Sequence, residues 1–382
     1  MNDSIVLWLW LKLAVESHSI TMTKLIAHFK SIQAVYECNG EQLSELDFID
    51  NKLKSALLKK QLKPAVSMLD YCERNGIGIL TIDNDKYPEL LKNIYNPPCV
   101  LFYLGDLLKI IDKPSITIAG TRRCTPYAEA QTKEISARLS MIGFNIVTGF
   151  SSGIETAAAI SAAKCDGSVI CIIIGGLMNK NFMRKSLFQE VLVNGAVVSE
   201  CFPLESTNQY SYYERNRLLS GMSLGTLVMQ APAKSGSLMI ANYALDQDRD
   251  VFALMANVDT PESYGSNQLI RQGAKPVLGF EDVLEEYIGK YPLHPQQCTT
   301  QTVAEVQKDK QAARLENKRE MFYDQLDADE RKVFDLLSDK ELSSDYIIEN
   351  SGMPIGKVMR VLTQLETMGA IISCPGDKYK IL

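Results

Sequence analysis

Two adjacent arginines, Arg122 and Arg123, follow Gly120, which closes a short apolar run beginning at Ile116. A guanidinium is a permanent cation whose planar donor fork matches phosphate oxygens. Further along stand Ser151-Ser152-Gly153, then Arg215-Asn216-Arg217, then Lys234-Ser235-Gly236-Ser237. Together these offer cations, hydroxyls and glycines that let backbone N–H groups approach an anion closely, which is the chemistry of phosphate binding. Singly each set has a plainer use. An isolated S-G-S is a helix cap, and an arginine-rich segment is ordinarily a solvated face or a partner for acidic neighbours.

Catalysis is the competing use of such residues. The three histidines are His18, His28 and His294, so no imidazole between Ile116 and Tyr287 can activate a nucleophile. Glu155 and Glu200 remain as acids or bases, with structural hydrogen bonding the plainer role. Nine cysteines are scattered without a C-x-x-C pair, a pattern that fits reduced thiols and provides no zinc cluster. We expect no catalytic residue, no metal and no cofactor. The G-x-G-x-x-G fingerprint of a dinucleotide site is also missing after the first strand.

The elements that must position these residues follow from spacing. Ile116 to Glu155 reads as strand, glycine turn, helix, strand and second glycine turn: Pro126 opens the helix, Ile135, Leu139 and Ile142 recur at helical spacing, and Gly143 ends it. Asn145 to Thr148 is the next strand. Others are predicted at Val169 to Ile174, Ala196 to Ser199, Gly225 to Met229 and Asp250 to Leu254, mostly with helical stretches between. This is an α/β chain with an extended Rossmann-like, doubly wound parallel sheet. In such a sheet the loops at the carboxyl ends of the strands line one crevice, where helix N-termini expose unpaired N–H groups. All the sets above fall at or near such ends, and that convergence favours the phosphate reading.

Residues 1–80 read as a small helical domain and 81–290 as the Rossmann-like core. Residues 291–320, rich in Gln, Thr, Lys and Arg, read as a linker. Residues 321–382 read as a winged helix, three helices and a hairpin about Pro375-Gly376-Asp377-Lys378. Its third helix has an apolar stripe of Val358, Val361, Leu362 and Leu365 but offers a DNA groove mainly Lys357, Arg360 and Gln364. Protein contact or packing is the stronger reading there, DNA contact the weaker.

The net charge of −6 argues against a protein that coats nucleic acid by bulk electrostatics, so a nucleic-acid site must be local. The opening MNDSIVLWLWLKLAVES lacks a basic leader and is interrupted by Lys12, and no later apolar run would span a bilayer. A cytoplasmic protein with no membrane partner is expected.

In this order the motifs resemble the DNA-processing protein A family, also called DprA or Smf. The matching residues are Gly120-Thr121-Arg122-Arg123 with Pro126-Tyr127, Thr148-Gly149 with Gly153-Ile154-Glu155, Gly175-Gly176-Leu177 and Gly195 to Glu200. Further matches are Arg215-Asn216-Arg217 with Ser220-Gly221, Ser235-Gly236-Ser237-Leu238, and Gly265-Ser266-Asn267 through Gly273-Ala274. The resemblance implies an extended Rossmann fold that binds single-stranded DNA without catalysis, usually as a homodimer. It also implies help in loading the RecA recombinase onto strands taken up in natural transformation. It makes Arg122 the leading phosphate contact, supported by Arg123, Arg215, Arg217 and Lys234. The chain departs from the family at Ser152, where an arginine is usual, at Glu155 (aspartate), Ala159 (histidine), Gln230 (glutamate) and Met255-Ala256 (Pro-Gly). Two alternatives stay open. One is a nucleotide-binding sensor or an enzyme like the LOG-type phosphoribohydrolases, whose P-G-G-x-G-T stretch is not found here; the other is an interaction scaffold whose crevice has lost its ligand.

Overall fold

The computed structural model describes residues 2–16, 19–179, 186–207, 211–294, 322–323, 326–337 and 341–381. The linker predicted over 291–320 lies, from 295 onward, outside the described residues. The chain divides into two compact units, Met1–Val303 and Ala304–Leu382.

The first unit is built on a sheet of β1 (Gly78–Thr81), β2 (Val100–Gly105), β3 (Ser115–Gly120), β4 (Asn145–Thr148), β5 (Val169–Ile172), β6 (Ala196–Ser199), β7 (Gly225–Gln230), β8 (Asp250–Leu254) and β9 (Lys275–Val277). Their spatial order is β1-β2-β6-β5-β4-β3-β7-β8-β9. From β6 across to β9 every neighbouring pair is parallel. β1 and β2 pair antiparallel at one edge. The chain therefore adds β4, β5 and β6 on one side of β3, then returns to add β7, β8 and β9 on the other. That reversal is a topological switch point, where successive crossovers part and leave a crevice above the strand ends.

Helices cover both faces. α1 (Asn2–Val15), α2 (Ser19–Phe29), α3 (Ile32–Glu37), α4 (Gly40–Ser44), α5 (Asn51–Leu58) and α6 (Lys63–Arg74) form the amino-terminal group. The chain leaves helix between α5 and α6, and Pro64 stands in the first turn of α6, where its missing N–H is harmless. α7 (Glu89–Lys92), α8 (Leu107–Ile110), α9 (Pro126–Met141), α10 (Ile154–Lys164), α11 (Ser186–Asn194), α12 (Ser211–Gly221), α13 (Gly236–Asp246), α14 (Tyr264–Arg271) and α15 (Phe280–Leu284) follow. Side chains alternate across each strand and so divide the core. Ile116, Ile118, Ile146 and Cys171 join one buried cluster with the amino-terminal helices. Ala119, Val147, Ile170 and Ile172 join another, with Leu218 and Leu219 of α12.

The second unit is a winged helix. α16 (Ala328–Leu336), α17 (Ser344–Ser351) and α18 (Ile355–Thr367) pack around Val333, Phe334, Ile347, Val358, Val361, Leu362 and Leu365. The wing is β11 (Ile371–Cys374) and β12 (Lys378–Ile381), with the short β10 (Leu342–Ser343) completing the order β10-β12-β11. Asp327 and Glu330 form a capping box at the start of α16. Lys357, a groove-facing candidate in the sequence, instead pairs with Asp329 at 2.6 Å.

Among the described residues no helix is long and apolar enough to cross a membrane.

Candidate nucleic-acid interface

The carboxyl ends of β3, β4 and β7 meet at the switch point, and each is tied to its neighbour. Thr121 N–H donates to the Gln230 carbonyl at 2.8 Å, joining β3 to β7. Thr148 Oγ1 donates to the Ile118 carbonyl at 2.9 Å, joining β4 to β3. The loop after β4 must then fold tightly against the loop after β3. Gly153 makes this possible at φ +77°: a side chain there would meet the carbonyl oxygens of Thr121 and Arg122 at 2.6 Å.

α12 supplies the third wall. Thr117 Oγ1 bonds the Leu219 carbonyl at 2.6 Å and Ser223 Oγ at 2.8 Å, holding the helix across β3. Arg217 pairs with Glu200 at 2.5 Å and Glu214 at 3.3 Å. Two residues earlier, Arg215 Nη1 reaches Glu155 Oε1 at 3.4 Å. Glu155 also accepts the Ser151 N–H at 2.9 Å, so one buried carboxylate links α12 to the β4 loop. Arg215 Nε and Asn216 Oδ1 have no hydrogen-bond partner among the described residues, which leaves polar capacity in the wall.

These walls enclose a cavity of 520 Å³ lined by Arg122, Arg123, Ser151, Arg215, Asn216, Lys234, Ser235, Gly236 and Ser237. The sequence-derived residues are thus brought together, with three exceptions. Ser152 and Gly153 do not line the cavity, and Arg217 is turned into its ion pairs with Glu200 and Glu214. Arg122, Arg123 and Lys234 are exposed cations at the rim. α13 begins at the cavity, with Ser235 as N-cap accepting the Ser237 N–H and its hydroxyl 2.6 Å from Ser237 Oγ. A helix N-terminus, three exposed cations and hydroxyl donors all favour an anion here.

Among the lining residues that sequence reasoning missed are Tyr212 and Tyr213, which are 38% and 49% exposed. Arg122 Nη2 lies 3.0 Å from Tyr212 Oη, and its guanidinium carbon lies 5.4 Å from the ring centroid. The available signal was their position, directly before Glu214-Arg215 on the same helix. An aromatic ring exposed beside a cation offers a ligand both an apolar face and a polar handle. Cys171, buried in β5 behind the site, has its thiol raised by burial and then by the Glu155 carboxylate, with Arg215 opposing.

A doubly wound sheet with a cationic, aromatic-rimmed crevice at its switch point, followed by a winged helix, defines a Rossmann-type protein equipped for anionic, nucleotide-like ligands. The chain belongs to the DNA recombination-mediator protein A (DprA/Smf) family. Residues 78–288 match the model of that family, and residues 319–377 match the DprA winged helix domain. Protein Smf of Synechocystis is 29% identical over 94% of both chains. DNA processing protein DprA of Bacillus subtilis is 34% identical over 62% of this chain and 81% of its own length. Among solved structures, DprA of Streptococcus pneumoniae superimposes with a TM-score of 0.62 at 26% identity, covering 72% of this chain and 95% of that one. DNA processing protein A of Helicobacter pylori, characterised for its single-stranded DNA binding mode, gives 0.50 at 28% identity, covering 56% and 97%.

Proposed function

We propose that this protein binds single-stranded DNA in the switch-point crevice and delivers it to a recombinase. The observation that carries this reading is the cavity rimmed by Arg122, Arg123 and Lys234 with Tyr212 and Tyr213 beside them. Cations spaced around a groove track successive phosphates, and exposed aromatic rings stack bases without regard to sequence. The single-stranded DNA binding mode of the Helicobacter pylori relative supports it. The site binds rather than reacts: Glu155, the buried carboxylate among its described lining residues, is engaged by Ser151 and Arg215. On this reading the chain acts in the cytoplasm as a homodimer, and its protein partner is RecA, loaded onto incoming strands.

The test is fluorescence anisotropy of a labelled single strand at two salt concentrations, against duplex DNA and against Arg122→Glu. Preference for the single strand, weaker binding at the higher salt, and loss in the variant are expected. A folded protein that binds no single strand at low salt would end this reading and direct attention to small nucleotides. The finer claim is tested by RecA filament formation on strands already coated with a single-strand binding protein, where the wild type should shorten the lag and Arg122→Glu should not.

A further inference from the structure

Between Asn51 and Lys63 the chain holds five lysines, Lys52, Lys54, Lys59, Lys60 and Lys63, and no acidic residue, although acidic residues outnumber basic ones in the whole chain. The fold keeps this charge on the surface. Asp50 caps α5 by accepting the Leu53 N–H at 2.7 Å, and Leu57 anchors the helix in the core at 1% exposed. The lysines are left exposed or half-buried. Lys52 meets Glu16 at 3.0 Å in a solvent-exposed pair, and Lys60 lies 5.5 Å from the Tyr36 ring centroid. Among the described residues no hydrogen bond or ion pair engages the ammonium groups of Lys54, Lys59 and Lys63.

A run of lysines is ordinarily a solvated face. Two neighbouring features give this one a use. α4 and α5 flank an open groove of 780 Å³ whose lining includes Lys54 with Asn39, Ser44, Asn51 and Ser55. Lysine, amide and hydroxyl groups are the set that contacts phosphate and sugar without reading bases. The means of gripping an unpaired base, an exposed ring, is withheld: the Phe, Tyr and Trp side chains of the described amino-terminal helices are buried or half-buried. Lys24 and Lys60 lie over two of them, Phe48 and Tyr36. The crevice, with Tyr212 and Tyr213 at its wall, is the opposite case. Cations without rings favour the ligand with the denser charge, and a duplex carries one negative charge per about 1.7 Å of axis.

We propose that the lysines of α5 and of the turn into α6 form a second DNA-binding surface, which grips the phosphate backbone of a duplex. This surface uses none of the crevice residues and goes beyond the single-strand reading. With both, the protein holds a duplex and a single strand through different cations.

The experiment follows anisotropy of a labelled blunt duplex, and of one of its strands, across a salt series with the full-length protein. In Lys54→Ala/Lys59→Ala/Lys63→Ala the slope of log K on log salt for the duplex should become shallower by about 0.9 per lysine, about 2.7 in all. Affinity and slope for the single strand should stay at wild-type values. Lys92→Ala/Lys109→Ala/Lys164→Ala removes the same charge from exposed positions outside the patch and should change neither ligand, which separates contact from net charge. Thermal melts of both triple variants should match wild type. No duplex binding by folded wild type at low salt, an unchanged duplex slope in the patch variant, or an equal change in the control variant overturns the duplex surface. The lysines then serve solvent or an acidic protein. Equal losses on duplex and single strand in the patch variant also overturn it, since the surface would not be a duplex site. Arg122→Glu on the single strand tests the crevice separately, so either reading can fail alone.

Discussion

At the scale of single residues, the site depends on a buried ion pair and the space made for it. Glu155 and Arg215 are 4% and 7% exposed. They meet over Gly149, where an added Cβ would lie 1.9 Å from Arg215 Nη1 and 2.3 Å from Glu155 Oε2. Such a pair adds little net stability over an apolar one, but removing one partner strands the other charge. Glu155→Ala should therefore cost about 3–5 kcal/mol in urea unfolding, an uncompensated guanidinium being the cause. Cysteine chemistry is set by the same burial. Burial pushes the Cys99 thiol up to about 12, with the Thr23 hydrogen bond opposing it. The thiolate is the reactive form, so at pH 8 roughly one Cys99 in ten thousand is competent, and reactivity rises only as pH approaches the raised value. An aromatic disulfide reagent at pH 8 should modify Cys99 and Cys171 only after denaturation, whereas half-exposed Cys374 reacts in the native protein. Rapid native labelling of Cys99 would contradict its burial against Thr23 of α2.

At the scale of elements, one side chain ties three of them together. Gln230, at the end of β7, accepts the Thr125 N–H at 2.8 Å and donates to Thr125 Oγ1 at 3.1 Å and Ser263 Oγ at 2.8 Å. It thereby fixes the N-cap of α9 and the entry to α14, and with them the loop bearing Arg122. Gln230→Leu leaves these groups unpaired in a buried position, a loss of about 1–3 kcal/mol. The melting temperature should fall, and single-strand affinity should fall with it because the arginine loop loses its anchor. Unchanged affinity in a destabilised variant would separate the loop's position from this bond. These elements were largely legible in the sequence. β4, β6 and β8 have the predicted bounds, and Pro126 opens α9. β9 was not seen, since Pro276 breaks its pattern and it has only three residues at a sheet edge. The crevice residues were legible because strand ends converge in this topology, whatever the side chains. What the sequence could not show was direction: Arg215 and Arg217 look alike in the chain, yet one lines the cavity and the other meets Glu200. The partners are distant in sequence, so only the fold decides between them.

At the scale of the whole molecule, a chain of net charge −6 must bind a polyanion through a local field. Arg122, Arg123 and Lys234 are the exposed cations lining the crevice among the described residues. Each phosphate neutralised on a single strand contributes a slope of about −0.7 to the dependence of log K on log salt, so three give about −2. Lys234→Ala should make that slope shallower by about 0.7 while leaving the melting temperature near wild type, because its side chain is solvent-facing. Arg217→Ala should do the opposite, leaving the slope and lowering stability, since Arg217 serves Glu200 and Glu214. The winged helix enters the same measurement. It has its own core and forms a separate unit, Ala304–Leu382, in which Lys357 is already paired with Asp329. A chain ending at Val303 should therefore keep the slope of about −2 expected for the crevice alone. A markedly shallower slope in the shortened chain would mean that Arg360 or the wing adds phosphate contacts. In that case the second unit contributes to DNA binding on its own account.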